Sequence, residues 1–143
     1  MREILFRGKR LQGGDWVEGY FFKSDINKRE RESGKATLIF TPDCNTFITV
    51  PECNNSFMVV SDTVGQYTGL NDKHGKRIFE GDVAKVLQGK DKDIAYVGFE
   101  NGAFMLYPKT GNIYERTLWE YWYNDWDVEV IGNIHDNPEL LEK

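Results

Sequence analysis

The most constraining stretch of the chain is IAYVGFE-NG-AFMLY, residues 94–107, where two alternating apolar runs flank Asn101-Gly102. An Asn-Gly pair readily takes the two positive φ angles of a type I′ turn, so the runs are predicted to pair as an antiparallel hairpin. Similar short runs recur at close spacing: Ile4 to Phe6, Trp16 to Phe22, Ala36 to Phe40, Thr46 to Val50 and Phe57 to Val60, then Asp82 to Leu87, Ile94 to Phe99, Ala103 to Tyr107 and Val128 to Ile134. Runs of this length bounded by turn residues read as strands, and β-branched and aromatic residues fit a half-buried pleated surface. The expectation is a mainly β fold: one compact domain over residues 1–143, with antiparallel strands in an SH3-like, barrel-like organisation. Asn137-Pro138 is predicted to open a short C-terminal helix through Leu141.

A core for such a domain is available, since 14% of the residues are aromatic, and a chain of this size buries most of its unfolded surface. No apolar run approaches the roughly 18 residues of a membrane span, and the opening MREILFRGKR is charged where a signal peptide needs an apolar stretch. A soluble, cytoplasmic protein with no membrane partner is expected. Cys44 and Cys53 are too few for a disulfide scaffold, and both are expected as free thiols.

Net charge is −5, and residues 115–143 carry eight carboxylates against Arg116 and Lys143. An acidic balance works against sequence-independent nucleic-acid binding, which requires clustered positive charge. Residues 24–35 alternate charges around Ile26, and Glu30 and Glu32 break up the cluster of Lys28, Arg29 and Arg31. A mobile solvated loop is the expectation there. GKRLQGGDW at Gly8 to Trp16 echoes GKRIFEGDV at Gly75 to Val83. Shared turn chemistry explains the echo better than duplication, because the match stops at the edges of the window.

Candidate chemistry is sparse. GDVAKVLQG, Gly81 to Gly89, resembles the G-D-x-V-x-V-x-x-G pattern of KOW motifs, which implies RNA contact, with Ala84 where the pattern has Val. Any tight turn feeding a half-buried strand favours the same residues. Glu80 and Asp82 would share one face of a strand, the minimum geometry for an acid and base pair, yet Asp beside Gly81 more often satisfies turn amides. Eight residues separate Cys44 from Cys53, which is not zinc-knuckle spacing, and only His74 and His135 could complete a metal set. No hydrolase, zincin, Walker or dinucleotide signature is present. No catalytic residue, metal or cofactor is expected.

The richest segment is NIYERTLWEYWYNDW, residues 112–126. Trp119, Trp122, Tyr123 and Trp126 fall at helical i, i+3, i+4, i+7 spacing, Thr117 and Glu120 form a capping-box signature, and Tyr114, Leu118 and Tyr121 take the neighbouring face. Strand alternation also fits Trp119, Tyr121 and Tyr123. Such a segment has more large apolar side chains than one core-facing side can absorb. Tyr114, Leu118, Trp119, Tyr121, Trp122, Tyr123 and Trp126 are therefore the candidate surface for a partner or a second copy, rimmed by Glu120, Asp125 and Asp127. Arg7, Lys9, Arg10, Lys73, Lys76 and Arg77 are the alternative, a nucleic-acid contact on basic turns.

VGQYTGLNDKHGKRIFEGDVAKV, Val64 to Val86, and VEVIGNIHDNPELLE, Val128 to Glu142, strongly resemble the YopX family of phage and prophage proteins, as do REILFRGKR and WVEGYFF. His74 stands where Asn is frequent in that family, and Ala84 where Val is. The resemblance implies a phage or prophage context, a compact β-rich fold and no established enzymatic activity. The expected role is that of a phage accessory protein acting by self-association or by contact with a phage or host protein.

Overall fold

The computed structural model describes residues 3–24 and 45–142. The strand expected at Ala36 to Phe40, nearly all of the charged loop and Cys44 lie outside them. Contacts group the chain into two compact units, Glu3–Gln66 and Tyr67–Lys143, where the sequence reading expects one domain.

In the first unit β1 (Phe6–Lys9) pairs antiparallel with β2 (Trp16–Lys23), β2 with β3 (Thr46–Val50), and β3 with β4 (Asn55–Met58). Leu5, Ile48 and Val59 are buried. The first strand lies later than the apolar run Ile4 to Phe6 suggests. Its register against β2 runs from Phe6↔Gly19 to Lys9↔Trp16, and Gly8 admits Val59 so closely that an added Cβ would stand 3.0 Å from it.

The second unit contains the Tyr67–Asn71 part of β5 (Gly65–Asn71), which pairs with β6 (Arg77–Phe79) through Tyr67↔Phe79 and Asn71↔Arg77. It continues with β7 (Asp82–Gln88), β8 (Asp91–Glu100), β9 (Ala103–Pro108), β10 (Arg116–Thr117), helix α1 (Leu118–Tyr123) and β11 (Asp127–Asn133). The sheet order β10-β9-β8-β7-β11 is a meander whose last strand returns to the first, as SH3-like organisation requires. Alternate residues of these strands face inward. Val86, Ala95, Val97 and Leu106 form the centre of the core, closed by Ile78, Ile113, Leu118, Tyr121 and Val128. The predicted terminal helix is a 3-10 turn, Pro138–Leu141, opened by proline.

Asn101 and Gly102 have φ of 52° and 81°, and the flanking pairs run from Glu100↔Ala103 to Ala95↔Pro108. The hairpin is the one read from the sequence. Gly102→Val places a β-branched side chain in the left-handed region, which costs about 1–3 kcal/mol. Thermal melts of the two proteins check this, and an unchanged midpoint would remove the turn's role in setting register. Within the internal echo Gly14 and Gly81 share positive φ, 69° and 90°, whereas Gly75 has φ 81° and its counterpart Gly8 lies within β1. The echo's apolar positions differ, with Leu11 38% and Ile78 1% exposed.

Candidate binding surface

Local sequence dictates the aromatic segment's path. Thr117 caps α1, its Oγ1 accepting from the Glu120 amide at 3.3 Å, while Arg116 Nη1 donates to Glu120 Oε2 at 2.9 Å. Two turns later Asp125 adopts φ 55°. That left-handed step reverses the chain, so the Trp126 amide donates to the Tyr121 carbonyl at 3.1 Å. The i+7 position of the helical pattern is thus filled after the helix has ended. Trp126 packs edge-on against Tyr121, with ring centroids 5.1 Å apart.

The seven candidate interface residues divide accordingly. Leu118 and Tyr121 are core, 2% and 0% exposed, and Tyr121 Oη donates to the Tyr114 carbonyl at 2.9 Å. Both therefore leave the candidate surface: the face of a capped helix set against the sheet is the one its own core consumes. Trp126 is half-buried against the same core. Tyr114, Trp119, Trp122 and Tyr123 are 74%, 55%, 59% and 67% exposed. Trp119 and Tyr123 stack on each other at 4.9 Å. Of the three expected rim carboxylates, Glu120 is taken up by Arg116 and the cap, while Asp125 and Asp127 are exposed.

Beside the helix, and within the second unit, lies a cavity of about 340 Å³. Its apolar lining includes Ile78, Leu118 and Val128; Trp122 and Trp126 also line it, with Asp72, Asp125 and Asp127. Asp72 begins the turn between β5 and β6. Its Oδ1 accepts from the His74 and Lys76 amides, each at 2.9 Å, and its Oδ2 from the Val130 amide at 3.0 Å. Burial alone would raise its pKa, but those donors and the His74 charge outweigh burial and hold the carboxyl below its ordinary value. Asp93 does the same for the segment after β9, accepting from Thr110 and Asn112, and is lowered likewise against the pull of burial. Asp72 and the apolar lining from Leu70 and Ile78 are not among the candidate site residues of the sequence. Asp125 and Asp127 are in the sequence reading, as carboxylates flanking Trp126.

The basic candidates are largely engaged. In the first unit Arg7 is 8% exposed with its guanidinium 4.8 Å from the Trp16 ring centroid. Arg10 pairs with Asp15 at 3.3 Å and lies over Phe57, while the Lys9 backbone amide donates to Thr63 Oγ1. In the second unit Lys73 pairs with Glu129 at 3.6 Å, Arg77 lies over Tyr67, and Lys76 is exposed. Asp82 is fully buried and accepts from the Phe79 amide at 2.8 Å, so it serves the turn. Cys53 is an exposed free thiol. Among the described residues, no group of three His, Cys, Asp or Glu side chains is placed to hold a metal ion, and no helix is long and apolar enough to cross a membrane.

These features define a mainly β protein with an SH3-like strand meander and an aromatic helix face turned to solvent. A family model described as YopX protein matches residues 5–142, and the chain belongs to the YopX family. Among solved structures it is similar to the crystal structure of protein EF1440 from Enterococcus faecalis, with 21% identity, 99% of this chain and 100% of that chain covered, and a TM-score of 0.56. That likeness is one of fold. Comparison with curated proteins gives no match.

Proposed function

We propose that the chain is a non-catalytic, phage-encoded accessory protein of the cytoplasm that works by protein interaction, through the outward face of α1. The observation carrying this reading is the exposure of Trp119, Trp122 and Tyr123 on six helical residues whose other side is fully committed to the core. Tryptophan and tyrosine concentrate at interfaces because they bring large contact area and a polar tip. Nucleic-acid binding is the weaker reading, since Arg7, Arg10, Lys73 and Arg77 already face rings or carboxylates.

Sedimentation velocity over a rising concentration series tests the interface in its simplest form, between two copies. The wild type is expected to self-associate, and Trp119→Ala/Tyr123→Ala to weaken this by about tenfold or more, the scale of losing interface anchors. Circular dichroism should be unchanged, because neither side chain is buried. A wild type that stays monomeric at the highest concentration would sink the self-association form.

A further inference from the structure

We propose that the cavity beside α1 receives an arginine side chain presented by a partner protein. The inference rests on the interaction reading above and adds the chemistry of what is recognised. The cavity is large enough for a side chain, at about 340 Å³, and its lining combines apolar, aromatic and acidic residues. Ile78 and Leu118 are buried apolar residues, suited to the methylenes of a long side chain. Trp122 and Trp126 supply indole surfaces, which attract a cation over the ring face and stack against a planar guanidinium. The chain's own Arg116 already lies over the Trp126 ring at 5.9 Å, so Trp122 is the indole left for an incoming guanidinium.

Charge selects the occupant. The lining holds Asp72, Asp125 and Asp127 against one cation, Lys73, whose Nζ is drawn to Glu129 at 3.6 Å. Asp72 already accepts from three backbone amides, so its main contribution is negative field. Asp125 and Asp127, the chain neighbours of Trp126, are exposed and can accept from a guanidinium that lies against an indole. A carboxylate or phosphate would meet net repulsion here, and a neutral apolar group would leave the two rim carboxylates beside a partner they could not pair with.

Titration of the whole protein with N-acetyl-arginine amide at constant ionic strength, followed through the indole N–H resonances, is the test. Saturable shifts are expected at Trp122 and Trp126. The neutral isostere N-acetyl-citrulline amide should bind at least about tenfold more weakly, and the lysine analogue more weakly than arginine because its ammonium cannot stack. Asp125→Asn/Asp127→Asn should weaken arginine about tenfold with an unchanged amide spectrum elsewhere, since Asn tolerates the left-handed backbone of residue 125 as Asp does. Trp119→Ala/Tyr123→Ala should leave arginine binding within about twofold. That last pairing separates the two ideas: loss of self-association with arginine binding intact removes nothing from the cavity, whereas an arginine response absent from the wild type overturns the cavity and leaves the outer face standing. Equal binding of citrulline, or a response unaffected by loss of both carboxylates, would also overturn it.

Discussion

Tyr121→Ala is expected to cost about 3–5 kcal/mol, the range for removing a fully buried aromatic side chain, and to lower the thermal midpoint by roughly 10–20 °C. Tyr121 is 0% exposed and touches Trp126 edge-on, and its hydroxyl is the donor that holds the Tyr114 carbonyl. Truncation therefore opens a cavity at the contact between α1 and the sheet. Tyr121→Phe isolates the hydroxyl and should cost about 1 kcal/mol. Trp119→Ala removes a larger ring system two positions away yet should stay within about 0.5 kcal/mol, as surface substitutions do. Comparable losses at Tyr121 and Trp119 would mean that the inward and outward faces of α1 are wrongly assigned.

Asp72→Ala is expected to cost about 3 kcal/mol at neutral pH. It strips the acceptor from the amides of His74, Lys76 and Val130, and a hydrogen bond to a charged group contributes about 1.5–3 kcal/mol. The three losses are not additive, because the turn relaxes once the carboxylate is gone. The pH dependence has a definite sign. Asp72 and Asp93 both have folded pKa values below the ordinary 3.8, so their contribution is present above that value and is lost as pH falls through the folded values. Acid titration followed by circular dichroism should show the wild type losing stability below about pH 4, with a shallower loss in Asp72→Ala. A variant that melts like the wild type at pH 7, or loses stability in acid just as steeply, would refute the clamp.

Local chemistry explains what could be read from the sequence. Asn101-Gly102 and the Thr117 cap act within a few residues, so their geometry follows from side chains adjacent in the chain. The longer alternating runs likewise become β7, β8, β9 and β11. Strands β5, β6 and β10 were not legible: GQYTGLN is polar and glycine-bearing, and RIF and RT are too short to show a period. Their strand character comes from the partners they pair with. The helical spacing correctly placed Trp119, Trp122 and Tyr123 together but overran at Trp126, because nothing in the periodicity announces the left-handed step at Asp125. Asp72 escaped notice for a different reason. One of its donors, Val130, is 58 residues away, and no local pattern records a bond across that distance.

The return of β11 to β7, from Asp127↔Leu87 to Asn133↔Asp82, also governs timing during synthesis. β7, β8 and β9 can pair as they leave the ribosome, because each meets its predecessor across a short turn. The free edge of β7 must wait for residues made 40 to 51 positions later, and Val83 and Val86 cannot be enclosed before then. Contacts so distant in sequence are slow to form and leave an aggregation-prone edge in the interval. A nascent chain stalled before Asp127 should therefore remain protease-sensitive across β7, and the same region should become resistant once Asn133 has emerged.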